Sequence, residues 1–399
     1  MKMNLKALLL FVFFLLASCA PAPLNARSST YDAAASPEGV AETSAPVTPT
    51  DTARPTSDPE LNFPPEVEEY VHRLVDDHKV PGISIGWLTP EGTYFLNYGT
   101  VTWDSDQKID EHTLFEIGSI TKVFTATLLA NAVEEGLVTL DTPAQELAPE
   151  GVTLPVYAVD RGMTLRDIAS QRSGLPRMPS NYNPAETLNP YADYTPELMY
   201  EYLDGLKLGR KPGSEYEYSN LGFMLLGDLL ERAYDRPYDE LVGEIITGPL
   251  GMPDTVLTLT DEQQTRLAQA HSGPYPVQSW DFALPAVGAL RSTTADMLKF
   301  LAANVSPADD QLGRSMLMIR SECYPTGTDF VDVCLGIHTY DRFSKFMYQH
   351  DGQTGGYHSF SAFSPEDGTA VIVLANSNED IGAIGLRLMD PQVPLPNLD

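Results

Sequence analysis

Ser119-Ile120-Thr121-Lys122 places a hydroxyl three residues before an ammonium, with Phe115 and Ile117 ahead of it and Val123 and Phe124 behind. On a helix, side chains three apart share a face about one turn apart, so the lysine nitrogen can reach the serine oxygen. A serine hydroxyl is a weak nucleophile at neutral pH, and a desolvated lysine is a base able to activate it. Unpaired N–H groups at a helix N-terminus would favour a developing oxyanion. A capping serine with a lysine on a solvated face fits the same four residues, and a chain this long holds about one such match by chance. The apolar setting argues against the solvated face.

Two further clusters carry chemistry. In Tyr218-Ser219-Asn220, residues two apart in extended chain point the same way, so phenol and amide can face one cleft. A phenol beside an ammonium can pass a proton between nucleophile and leaving group. The other reading makes Asn220 a helix N-cap and Tyr218 a half-buried packing residue. His350-Asp351-Gly352, followed by Gln353-Thr354-Gly355-Gly356, comes after the strand-like Phe346-Met347-Tyr348. His350 would project into the cleft, and the glycines would let a substrate backbone lie against the sheet edge. His271-Ser272-Gly273 is set aside because Pro274 and Pro276 should interrupt any strand there. No metal site is expected: His350 and His358 flank a glycine-rich bend without carboxylates or cysteines at ligand spacing.

The elements that must position these groups are legible in outline. Residues 82–88 and 93–101 read as a hairpin around Pro90-Glu91-Gly92, and residues 119–135 as an apolar helix stopped at Gly136. A second helix, 221–233, begins just after Asn220, and strands 357–363 and 369–375 flank Pro365-Glu366-Asp367-Gly368. Strands at both ends with helices between predict an α+β domain over 61–390: an antiparallel sheet flanked by helices, with a mainly helical insertion at about 140–300 and a tail at 391–399.

Composition narrows the classes. With 25 Lys+Arg against 55 Asp+Glu, the net charge of −30 argues against nucleic-acid binding, and 43% hydrophobic residues exclude global disorder. Lys2 and Lys6 precede an apolar run from Ala7 to Ala17 that is too short to span a membrane. It ends in Leu16-Ala17-Ser18-Cys19, which resembles a bacterial lipobox; the resemblance implies a signal peptide at 1–18 and lipidation of Cys19. Residues 19–60, rich in Pro, Ala, Ser and Thr, read as a disordered linker. The expected location is therefore extracytoplasmic, with a lipid anchor in the bacterial membrane. Export would let Cys323 and Cys334 bond across the turn between them, although two free buried thiols fit the sequence equally well.

In this order and at these separations the three clusters resemble the active-site signature of serine β-lactamases and D-alanyl-D-alanine peptidases, in the branch of class C β-lactamases and related esterases. Phe115-Glu116-Ile117-Gly118, Ser173-Gly174-Leu175-Pro176, Pro249-Leu250-Gly251-Met252 and Leu290-Arg291-Ser292-Thr293 extend the likeness over about residues 65 to 390. The resemblance implies Ser119 as the acylated nucleophile, Lys122 and Tyr218 as the proton-transfer pair, and Asn220 as the binder of a substrate amide. Backbone N–H groups of Ser119 and Gln353 would hold the oxyanion, and His350 and Gly352 would line the substrate. It implies no cofactor, and it leaves open which of Lys122 and Tyr218 is the base.

Two departures stand out. The third motif is His-Asp-Gly where many relatives have Lys-Thr-Gly, and an acidic Asp351 would repel a substrate carboxylate by roughly a kcal/mol or more unless it points away. Gln171-Arg172 stands where relatives usually carry His-Thr. The expected activity is hydrolysis of cell-wall D-Ala peptides or β-lactams through an acyl-enzyme. Small esters, or slow penicillin binding by a sensor lipoprotein, are the alternatives. Oligomeric state is not written in the sequence.

Overall fold

The computed structural model describes residues 63–158, 161–342 and 345–398. The expected signal peptide, Cys19 and the linker at 19–60 lie outside the described residues. Everything that follows concerns the unit that starts at Leu61.

Helix α1 (Pro65–Asp76) opens on a proline, carries Glu66 and Glu68 in its first turn, and buries Val67, Tyr70, Val71 and Leu74 along one stripe. Strands β1 (Gly82–Thr89) and β2 (Gly92–Gly99) form the expected hairpin. Near the other end of the chain lie β3 (Tyr324–Thr328), β4 (Val331–Val333), β5 (His338–Arg342), β6 (Lys345–Gln353), β7 (His358–Ser364) and β8 (Thr369–Ala375). All eight join one antiparallel sheet in the order β2-β1-β8-β7-β6-β5-β4-β3, so the two chain ends meet where β1 pairs with β8.

Burial on both faces explains the nearly unbroken apolar run of β8. Val371, Val373 and Ala375 face a core shared with α1 and the C-terminal helix Gly382–Met389, while Ala370, Ile372 and Leu374 face the larger core. That larger core also holds helix α2 (Thr121–Glu134), helix α3 (Asn220–Tyr234) and helix α4 (Thr294–Val305). The fold is α+β, and the stretch between α2 and α4 is mainly short helices and loops. The tail folds back: Leu398 is buried, and its carbonyl accepts from the Lys79 ammonium at 3.1 Å.

One local reading changes, and one open choice is settled. His271–Ser272 does pair with Tyr275–Pro276, contrary to the expectation that the prolines would interrupt a strand. Proline lacks only its own N–H, and the His271 N–H here bonds outside the small ladder, to the Gly356 carbonyl at 3.1 Å. The reading of His271 as a bystander stands on other grounds: its ring is buried against the Gln269 carbonyl and the Thr102 hydroxyl. The Cys323 and Cys334 sulfurs are joined, across the start of the β3–β4 hairpin.

Candidate active site

Ser119 lies in a 3-10 turn, Gly118–Ile120, immediately ahead of α2 rather than within it. Three residues per turn still stack positions 119 and 122, and the Lys122 Nζ stands 2.9 Å from the Ser119 Oγ. Lys122 is wholly buried and also donates to the Val287 carbonyl at 2.6 Å. Burial, reinforced by the Arg177 charge and opposed by Asp351, holds its ammonium well below the usual lysine range. Its hydrogen bonds among the described residues go to one hydroxyl and one backbone carbonyl, and none to a carboxylate.

The segment before α4 is zipped onto this nucleophile turn. Phe115–Glu116 pairs with Arg291–Ser292, Ile117 donates to the Leu290 carbonyl at 3.0 Å, and the Thr125 hydroxyl donates to the Ala286 carbonyl at 2.8 Å. Glu116 is buried against Arg291 at 3.5 Å; burial pushes its carboxyl up, and Arg291 opposes that.

Two glycines bring β6 against the serine. Gly118 has φ +50, and a Cβ on it would come within 2.7 Å of the Gln353 nitrogen. A Cβ on Gly352 would fall 2.0 Å from the Ile117 carbonyl oxygen and 2.9 Å from the Ser119 nitrogen. The backbone N–H groups of Ser119 and Gln353 are thereby brought into one neighbourhood. The Ser359 hydroxyl donates to the Ile117 carbonyl at 2.8 Å from the adjacent strand, a clamp that no motif announced. The close neighbours of the three glycines are the protein's own segments. Gly352 admits the protein's own nucleophile turn, Gly355 abuts Trp280, and Gly356 abuts Ala270 and His271.

Tyr218 hydrogen-bonds Ser119, and burial pushes its phenol up. Its ring centroid lies 5.1 Å from the Lys122 Nζ and 5.0 Å from the Arg177 guanidinium. The alternative in which Asn220 caps the helix is overturned: the cap is Ser219, whose Oγ accepts from the Gly222 N–H at 2.9 Å. This frees the Asn220 amide, which reaches Tyr191 Oη at 3.2 Å and Met178 Sδ at 3.6 Å and leaves its buried Oδ1 without a described partner. Asn220 makes no described hydrogen bond to Ser119 or Lys122. Tyr191 in turn packs on Trp280 and Phe282, which form an aromatic wall.

His350 is buried on β6, with its Nδ1 2.5 Å from the Asp351 carbonyl and its ring 6.3 Å from that of Tyr218. Burial, then the Lys122 charge, lowers its imidazole to about 3. His338 on β5, which no motif announced, lies with its ring 5.5 Å from that of His350 at a tilt of 52°, sits 3.0 Å from the Tyr216 hydroxyl, and is lowered to about 3 for the same first reason. Both rings are therefore neutral at physiological pH. Asp351 is exposed, and its charge reaches Lys122, Tyr216, Tyr218 and His338. Among the described residues no three His, Cys, Asp or Glu side chains gather to hold a metal ion.

Comparison with known proteins follows the same lines. The family model described as Beta-lactamase matches residues 67–389. The D-alanyl-D-alanine-carboxypeptidase/endopeptidase AmpH of Escherichia coli K12 is 28% identical over 81% of this chain and 86% of its own. A beta-lactamase of Pseudomonas fluorescens is 26% identical over 78% of this chain and 93% of its own. In structure, the beta-lactamase/D-alanine carboxypeptidase of Yersinia pestis superposes with a TM-score of 0.66 at 24% identity, covering 78% of this chain and 93% of that one, a likeness of fold.

Proposed function

The chain belongs to the beta-lactamase family and is a serine hydrolase, and from that premise we propose that it cleaves D-Ala-containing peptides or related acyl donors through an acyl-enzyme on Ser119. The observation that carries this reading is the buried Lys122 amine, 2.9 Å from the Ser119 hydroxyl and held well below its ordinary basicity.

Lys122 takes the Ser119 proton as Oγ bonds to the substrate carbonyl carbon. The carbonyl oxygen, now negative, is held by the N–H groups of Ser119 and Gln353. Tyr218, its phenol kept protonated by burial, gives a proton to the leaving atom and is resupplied from Lys122 as the carbonyl–leaving-group bond breaks. Water then enters, loses a proton to the same pair, and releases the acid and the serine. Asn220 presents its amide oxygen, which has no partner among the described residues, to a substrate N–H, and neutral His350 and Gly352 form the floor under the leaving group. In this reading Lys122 is the base and Tyr218 the acid, because burial lowers the one and raises the other.

Likeness to the AmpH carboxypeptidase/endopeptidase supports peptides as substrates. Asp351, exposed two residues before Gln353 and with its charge reaching Tyr218 and Lys122, favours a second reading: esters or amides without a carboxylate near the leaving group. The lipobox-like 16–19 segment and the Cys323–Cys334 bond support an exported chain anchored through Cys19 on the outer side of the membrane. The test is release of D-alanine from a peptide ending in D-Ala-D-Ala and of p-nitrophenol from its acetate, by wild type and by Ser119→Ala. Loss of both activities in Ser119→Ala is expected; equal rates in the two proteins would end the proposal.

A further inference from the structure

We infer that Ser359 is a positioning residue for the oxyanion site: its hydroxyl fixes the turn that carries the Ser119 N–H against the strand that carries the Gln353 N–H. The inference rests on Ser119 being the acylated nucleophile and on those two N–H groups receiving the substrate oxygen.

The stretch ahead of Ser119 has no regular ladder to hold it. Ile117 sits at φ −94 and ψ 0 and Gly118 at φ +50, geometries of neither strand nor α-helix, so their backbone groups must find partners elsewhere. The Ile117 N–H donates to the Leu290 carbonyl at 3.0 Å. The Ile117 carbonyl accepts the Ile120 N–H at 3.2 Å, a bond inside the turn itself, and the Ser359 hydroxyl at 2.8 Å. Among the described hydrogen bonds, the one to Ser359 is what ties this carbonyl to the sheet.

Ser359 reaches the turn because β7 sets it opposite Gly352. The space that a Cβ on Gly352 would fill is taken by the Ile117 carbonyl oxygen, 2.0 Å from that point, and by the Ser359 oxygen, 2.5 Å from it. The Gly352 carbonyl lies 3.2 Å from the same hydroxyl, so one proton faces two carbonyl oxygens. One of these belongs to the residue before Gln353 and the other to the residue two before Ser119. Ser359 is wholly buried, and with its hydroxyl gone the two oxygens repel across the gap with no donor between them. Their separation moves the two N–H groups apart, and donors stabilise a developing oxyanion only when they are already in place around it.

Ser361, two residues further along the same face of β7, supplies a matched comparison. It is also buried, and its hydroxyl donates to the His350 carbonyl at 3.1 Å, a contact that does not touch the nucleophile turn.

The test compares wild type, Ser359→Ala and Ser361→Ala, with Ser119→Ala as the blank. The p-nitrophenol burst from p-nitrophenyl acetate gives the saturating acylation rate and the half-saturating concentration, and inhibition by phenylboronic acid reports a tetrahedral adduct that uses the same two N–H groups. Ser359→Ala should slow saturated acylation on the order of tenfold or more, leave half-saturation nearly unchanged, and weaken the boronate by a similar factor. Ser361→Ala should change neither acylation nor boronate affinity, although both variants should lose urea stability to a similar extent. Wild-type acylation and boronate affinity in Ser359→Ala, equal losses in Ser361→Ala, or a loss confined to half-saturation would overturn the role of Ser359 and leave the hydrolase reading standing. A burst in Ser119→Ala equal to that of wild type, or no burst in wild type, would overturn both.

Discussion

The side-chain carbonyl of Gln171 accepts the Ser219 N–H at 2.7 Å while its main-chain carbonyl accepts the Glu217 N–H at 2.9 Å, so one buried residue grips both neighbours of Tyr218. Gln171 adopts φ +57, the left-handed conformation that lets its carbonyl and side chain turn to the same loop. This gives a structural role to the position where relatives usually carry histidine.

Gln171→Ala should therefore cost stability and activity together. It strands a buried N–H, worth about 1–3 kcal/mol in chemical denaturation, and it loosens Tyr218, which should lower kcat by roughly tenfold or more. Gln171→Glu keeps an acceptor and should recover most of the kcat. Recovery with Ala but not with Glu would contradict the positioning role.

Gly352→Ala tests the close approach of β6 to the nucleophile turn. Its methyl would meet the Ile117 carbonyl oxygen at 2.0 Å, a backbone atom that can yield only by moving the segment bearing Ser119. Acylation should slow by about a hundredfold, since misplacement of reacting groups by an ångström is enough for that loss. Gly205→Ala, which meets nothing within 4 Å, is the control and should leave the rate unchanged.

The histidine pair makes the fold sensitive to acid. His338 and His350 are lowered to about 3, against about 6.5 in an unfolded chain. Between those values the unfolded chain binds protons that the folded one refuses, so stability falls as pH drops from about 6.5 toward 3. The slope is up to roughly 1.4 kcal/mol per pH unit for each ring. Urea midpoints from pH 7 to pH 4 should decline accordingly, and His338→Gln should decline less steeply. Identical pH profiles for the two proteins would mean that the rings are not held neutral.

Much of the fold and part of the site could be read from the chain because local pattern and spacing carried them. The β1–β2 hairpin has its turn residues, the Ser119–Lys122 offset survives a change from α to 3-10 geometry, and β8 is apolar because both its faces are covered. What was not legible depends on contacts distant in sequence. His338 had no neighbouring motif and reaches the site only because β5 pairs with β6. Ser359 clamps Ile117 from a strand more than two hundred residues away. Ser219 and Asn220 are both good caps, and only the Ser219 contact with the Gly222 N–H decided between them. Asp351 could be seen to be acidic, but not that β5 stops short of it at Gln349.

The central claim is that the Ser119 oxygen, activated by Lys122, becomes acylated. Intact mass of wild type, Ser119→Ala and Lys122→Met after incubation with a penicillin, and separately after acid quench with p-nitrophenyl acetate, tests it most directly. The account predicts a mass gain equal to one acyl group on wild type with at least one reagent, none on Ser119→Ala, and a gain slowed by several hundredfold or more on Lys122→Met. A gain of equal size and rate on Ser119→Ala, or no gain on wild type with either reagent, would contradict it.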